Sequence, residues 1–192
     1  LTGAALSLTT GGTSGGGSEG GAGNRGGGGA DGPPPVEGGE VKEVRRRDGT
    51  RLWVECFGPP DAPPVVLTHG WGADRRAWGY AVRDLSDRFR VVVWDLPGLG
   101  RSEKAADNDY SLESMAADLD AALAAAAGDR TALVVGHSIG GMITLTFCKL
   151  FPEALGTRVA GLLLVHTTYT DPVKTTRGAS IYTPLETPVL VP

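Results

Sequence analysis

The amino-acid sequence predicts an α/β protein built on a mostly parallel sheet with helices on both faces. Three observations carry that prediction. Short, near-continuous apolar runs recur between residues 63 and 165, as strands buried on both faces require. Between them lie stretches whose apolar residues fall three and four apart, the spacing of an amphipathic helix. Runs and stretches alternate, and that alternation marks parallel strands joined by helical crossovers.

The elements follow in order. Val41 to Arg47 and Leu52 to Phe57 flank Asp48-Gly49, a pair that turns a β-hairpin because both residues tolerate positive φ. Pro63 to Thr68 is a buried strand. Asp74 then caps a helix whose inward face carries Trp78, Ala81, Val82 and Leu85. Phe89 to Trp94 is the next strand, and Ser111 caps a helix bearing Leu112, Met115, Leu119 and Leu123 that Gly128 ends. Thr131 to Val135 is a strand, residues 139–151 are a helix stopped by Pro152, and Val159 to Val165 is a further strand. No internal repeat is present.

Composition divides the chain. Of its 30 glycines, 16 fall in residues 1–40, a stretch without an aromatic residue. Its apolar content is too small to offset the entropy of ordering, so residues 1–40 are expected to be a disordered Gly-rich leader closed by Pro33-Pro34-Pro35. Residues 41–192 are the globular part. The chain begins with Leu1 rather than Met, and the expectation is a fragment whose native N-terminus, with any targeting signal, is unseen.

With 192 residues, the chain is within the range of one domain, about 100–200 residues. A net charge of −4 lacks the clustered Lys and Arg of a nucleic-acid or anionic-membrane binder. Two cysteines, Cys56 and Cys148, make neither a disulfide framework nor a structural zinc site, and both read as buried packing thiols. No apolar run approaches the roughly 18 residues that span a bilayer. The expectation is a soluble protein, with the cytoplasm the favoured compartment.

Candidate chemistry collects at the strand ends. Gly136-His137-Ser138-Ile139-Gly140 joins a strand to a helix, with Gly141 next. A serine in Gly-x-Ser-x-Gly at such a turn is held in a strained conformation, and side chains two positions to either side would collide with neighbouring backbone. Ser138 would then stand at a helix N-terminus, where the dipole favours developing negative charge. Two earlier strands end in His69-Gly70-Trp71-Gly72 and in Asp95-Leu96-Pro97-Gly98-Leu99-Gly100-Arg101-Ser102. Gly98 and Gly100 lack the spacing and helix opening of a dinucleotide loop.

These motifs, in this order, with Phe151-Pro152-Glu153 after the last helix, resemble the α/β-hydrolase superfamily in its lipase, esterase and haloperoxidase-like branch over residues 41–170. The resemblance implies the α/β-hydrolase fold, truncated before its last strands. It implies Ser138 as catalytic nucleophile and the backbone N–H groups of Trp71 and Ile139 as the oxyanion hole. It implies a small-molecule acyl substrate and no metal or organic cofactor. His69 is expected to orient the oxyanion loop, Asp95 to brace the Gly-rich turn, and Ser102 to be structural. His137 reads as packing or pocket lining, and His166 as a core histidine.

In this superfamily the acid and the histidine follow the nucleophile in the chain. No histidine follows His166, and Asp171 is the one later aspartate. Asp171 therefore stays open as the acid, with both partners otherwise expected beyond Pro192. Thr167 to Pro192 is expected to begin a cap or lid. The alternative is a non-catalytic ligand-binding or scaffold member of the same fold, and a haloperoxidase-like activity would use the same residues.

Overall fold

The computed structural model describes residues 33–170. Among the described residues, six strands form one sheet: β1 Glu40–Arg45, β2 Arg51–Phe57, β3 Pro64–Thr68, β4 Arg90–Trp94, β5 Ala132–His137 and β6 Val159–Val165. Their spatial order is β1-β2-β4-β3-β5-β6. β1 and β2 make the expected hairpin, with Val44 opposite Leu52, and β2 runs antiparallel to β4. β4, β3, β5 and β6 are mutually parallel. Three helices connect them: α1 Gly79–Leu85, α2 Leu112–Ala127 and α3 Ile139–Leu150.

Alternation along the strands builds the layers. Val66, Val92, Trp94 and Val134 join Met115, Leu119, Leu123, Ile143 and Phe147 in one core beneath α2 and α3. Val65, Leu67, Val91, Val93 and Val135 face the other way, where Val82 of α1 covers them. Both faces of the central strands are apolar, which is why the sequence shows runs there. Ser111 caps α2 by accepting the Ser114 N–H at 3.2 Å, and Gly128 follows its end at φ 59°. β6 lies at the sheet edge, and Leu163 is 52% exposed there with Leu162 and Leu164 beside it.

Three expectations are corrected. The leader does not extend to residue 40: Val36 is 1% exposed in the α1-side core, the Gly39 N–H donates to Glu55 Oε1 at 3.0 Å, and Glu40 opens β1 opposite Cys56. One well-placed valine and a backbone ladder order a segment that composition alone marks as loose. The helix expected from Asp74 starts as a 3₁₀ turn, Arg75–Trp78, whose Arg76 N–H donates to Asp74 Oδ1 at 2.8 Å; the α-helix begins only at Gly79. Cys56 is buried, but Cys148 is half-buried on α3. Residues 1–32 and 171–192 lie outside the described residues, and with them most of the expected leader and cap, and Asp171.

The hairpin turn is tied to α2 by a buried ion pair. Arg46 donates from Nε to Asp118 Oδ1 at 3.0 Å, from Nη2 to the Asp109 carbonyl at 2.8 Å, and to Ser114 Oγ. Among the described residues, buried Asp118 Oδ2 has no hydrogen-bond partner. Burial, outweighing the attraction of Arg46, pushes the Asp118 carboxyl up to about 6. A carboxyl whose folded pKa exceeds its unfolded value favours folding most below about pH 4 and loses that contribution as pH rises through 6. The stability difference between wild type and Asp118→Asn should therefore fall by on the order of 1–3 kcal/mol between pH 4 and pH 7. Urea unfolding of both proteins across that range checks it, and a difference that stays level or rises with pH refutes it.

Candidate active site

Adjacent parallel strands deliver three loops side by side at the carboxyl ends of β4, β3 and β5. In open parallel sheets the crevice outside those ends is where ligands bind. Ser138 occupies the turn from β5 to α3 with φ 54° and ψ −121°. A non-glycine residue in that region costs on the order of 1–3 kcal/mol and persists only where its surroundings hold it. Its N–H donates to the Val165 carbonyl at 3.0 Å, and its carbonyl accepts from the Gly141 N–H at 2.9 Å and Thr167 Oγ1 at 2.6 Å. Its hydroxyl makes no capping bond to α3.

The flanking glycines have a steric reason. A β-carbon on Gly136 would sit 2.5 Å from the Gly140 carbonyl oxygen, and one on Gly140 only 2.4 Å from that of Thr68. The first turn of α3 is thus pressed onto the end of β3. Ile139 opens α3, so no carbonyl within the helix accepts its N–H.

The loop after β3 lies against this turn. A β-carbon on Gly70 would be 3.3 Å from Ser138 Cβ and 2.9 Å from His137 Nδ1. The Ala73 N–H closes onto the Gly70 carbonyl at 3.2 Å around Trp71, which is 52% exposed. Trp71, Ser138 and Ile139 are therefore carried by segments in contact. His69 is fully buried; its Nε2 accepts the Leu96 N–H at 3.0 Å, and its Nδ1 is 2.8 Å from the Gly70 carbonyl. With Nε2 accepting, the proton resides on Nδ1 and the ring is neutral, consistent with burial pushing its pKa down. A histidine with both nitrogens bound to backbone is a brace for this loop and has no nitrogen left to act as a base.

Asp95 braces more than the Gly-rich turn. Its Oδ2 accepts the Arg101 N–H at 2.9 Å and Arg75 Nη1 at 3.1 Å, and its Oδ1 accepts the Arg75 N–H at 2.7 Å. Arg75 Nε reaches Glu55 Oε2 at 3.1 Å, and all three side chains are at most 3% exposed. Ser102 Oγ donates to the Asp95 carbonyl at 2.6 Å and accepts the Trp53 N–H at 2.8 Å. Glu55 and Arg75 were not singled out from the sequence. The available signal was a glutamate inside the otherwise apolar run of β2. His137 packs on Gly70 with its ring centroid 6.3 Å from that of His166, which itself has φ 47°. Among the described residues, no group of three or more His, Cys, Asp or Glu side chains is placed to hold a metal ion, and no helix is long and apolar enough to cross a membrane.

Residues 63–181 match the family described as the alpha/beta hydrolase fold. The chain is 43% identical over 103 residues to the magnesium-chelatase 30 kDa subunit of Rhodobacter capsulatus, covering 53% of this chain and 36% of that protein. It is 42% identical over 104 residues to a pimeloyl-[acyl-carrier protein] methyl ester esterase of Methylococcus capsulatus, covering 54% of this chain and 37% of that one. The esterase RhEst1 from Rhodococcus sp. ECU1013 superposes with a TM-score of 0.60 at 29% identity, covering 66% of this chain and 46% of that one. The alignments thus span little more than a third of the curated relatives' length.

The buried cluster generates a test. Arg75→Met strands the Asp95 and Glu55 carboxylates without their shared cation, and stability should drop by about 3–5 kcal/mol. Ser102→Ala leaves the Trp53 N–H and the Asp95 carbonyl without this partner and should cost about 1–3 kcal/mol. Urea unfolding midpoints measure both. A loss below about 1 kcal/mol for Arg75→Met would show that the cluster does not hold these loops.

Proposed function

This chain belongs to the α/β hydrolase fold family, and from that premise we propose that it works as a serine hydrolase on an ester or related acyl bond of a small molecule. The observation that carries the reading is Ser138 at φ 54° on the strand-to-helix turn, with no room for a side chain at Gly136 or Gly140. Strain of this kind is maintained at functional sites because it presents a side chain that a relaxed turn would bury.

Ser138 Oγ attacks the acyl carbon as its proton passes to the histidine base that this fold places after both the nucleophile and the acid in chain order. Asp171, outside residues 33–170, remains a candidate for the carboxylate that orients that base. The carbonyl oxygen gains negative charge and is received by the backbone N–H groups of Trp71 and Ile139, with the α3 N-terminus adding its dipole. Expulsion of the alcohol leaves an acyl-serine that water hydrolyses. This chemistry uses no metal or organic cofactor. A second reading, a non-catalytic ligand-binding or scaffold member, is favoured by one observation: the 43% identical relative is named as a chelatase subunit, not as an esterase.

A fluorophosphonate probe separates the two on the protein at its full cellular length. Phosphonylation needs the same activated serine and oxyanion donors as acylation, so the serine-hydrolase reading expects covalent labelling at Ser138. Ser138→Ala should abolish it and lower hydrolysis of short p-nitrophenyl esters by several orders of magnitude. Trp71→Ala keeps the backbone donor and should alter mainly substrate fit. Trp71→Pro removes that N–H and should cost on the order of 10²-fold in turnover. Labelling that survives Ser138→Ala moves the nucleophile elsewhere. Folded protein that never labels leaves the binding-protein reading standing.

A further inference from the structure

The strained Ser138 is held from within α3, whose Gly141 and Met142 N–H groups donate to its carbonyl at 2.9 and 3.3 Å, and from outside the helix by one short segment. The Val165 carbonyl accepts the Ser138 N–H at 3.0 Å, and two residues later Thr167 Oγ1 donates to the Ser138 carbonyl at 2.6 Å. His166, between them, has φ 47°. That left-handed conformation follows directly on the last residue of β6, Val165, and the next residue, Thr167, is the one that reaches the Ser138 carbonyl. Among the described residues, three non-glycines have positive φ, and two of them, Ser138 and His166, flank this contact.

Gly141, which the Gly-x-Ser-x-Gly pattern does not require, finds its reason in the same contact. A β-carbon there would lie 2.5 Å from Thr167 Cγ2 and 2.6 Å from its Oγ1. Thr167 is therefore packed directly on the first turn of α3, and its hydroxyl reaches the Ser138 carbonyl.

The chemical consequence comes from the planarity of the peptide unit. The Ser138 carbonyl and the Ile139 N–H belong to one rigid plane, so whatever fixes the carbonyl aims the N–H. A donor on the carbonyl also polarises the N–H across the plane and makes it a stronger donor in turn. We infer that Thr167 is a positioning residue: through the Ser138 carbonyl, its hydroxyl orients and strengthens the Ile139 N–H as an oxyanion donor. The inference rests on the serine-hydrolase reading above.

Two substitutions separate the hydroxyl from the shape. Thr167→Val keeps the β-branched volume and loses the donor, whereas Thr167→Ser keeps the donor and loses the methyl. An oxyanion donor acts in the transition state more than in substrate binding, so Thr167→Val should lower kcat for a p-nitrophenyl ester, and the rate of fluorophosphonate capture, on the order of tenfold with KM little changed. Thr167→Ser should recover most of that loss. The Ile139 amide resonance, read by NMR, should move in Thr167→Val and stay near wild type in Thr167→Ser. Equal losses in the two variants, a loss confined to KM, or full activity in Thr167→Val would overturn the proposal. If wild type shows neither turnover nor labelling, the serine-hydrolase reading fails, and the clamp is judged on the Ile139 resonance alone: identical positions in the Val and Ser variants reject it. Should Thr167→Val not fold, Thr167→Ala takes its place in every comparison.

Discussion

The candidate site depends on how closely the first turn of α3 approaches the end of β3. Gly140 lies so near the Thr68 carbonyl that a methyl group would sit 2.4 Å from its oxygen. A helix brought in that tightly leaves no relaxed path from β5, and Ser138 takes φ 54° as a result. The strain is on the order of 1–3 kcal/mol. Against it stands the burial of Ile143 and Phe147, both 0% exposed, where α3 meets the core, each contributing about 1.5–3 kcal/mol. Packing of the helix body therefore outweighs the strain at its start. The serine is held by the same hydrophobic face that makes α3 part of the fold.

The loops around Ser138 are held by a different kind of interaction. Arg75 is buried between Asp95 and Glu55, and these side chains also take backbone N–H groups of Gly39, Arg75 and Arg101. One cation, three backbone donors and the Trp53 indole N–H thus serve two carboxylates, joining the chain before β1, the loop after β3 and the Gly-rich turn after β4. Buried ion clusters are poor sources of net stability, because desolvation offsets their attraction. What this one supplies is geometry: in the observed arrangement, three separate segments converge on the same two carboxylates. His69 adds a neutral link from β3 to Leu96, completing a polar frame under the loop that carries Trp71.

Much of this was legible in the sequence because it rests on local rules. β-branched runs marked β3, β4 and β5, Ser111 and Gly128 bounded α2, and two glycines around Ser138 announced a turn too tight for side chains. What escaped was non-local. Glu55 lies 20 positions from Arg75 in sequence, and nothing near either residue announces the other. Val36 is a single valine in a glycine-rich stretch, and its burial depends on where α1 packs. The 3₁₀ start of the segment after Asp74 escaped because a capping aspartate suits both helix types. Positive φ is readable at glycine; at His166 it is set by tertiary contacts, so neither its turn nor the reach of Thr167 could be seen in the sequence.

The position of β6 gives that last contact its weight. β6 is joined to the sheet through the β5 ladder on one side only, among the described residues, and its leucines Leu162 to Leu164 are partly open to solvent. Local stability follows apolar burial and hydrogen bonding, so this edge is where the described sheet is most easily loosened. Yet β6 and the turn after it supply two of the hydrogen bonds that hold the Ser138 backbone, from the Val165 carbonyl and the Thr167 hydroxyl, beside those from the Gly141 and Met142 N–H groups of α3. The packing of α3 thus imposes the strain at Ser138, while part of what holds the strained residue comes from outside that helix, through the strand paired to β5 and the turn that follows it.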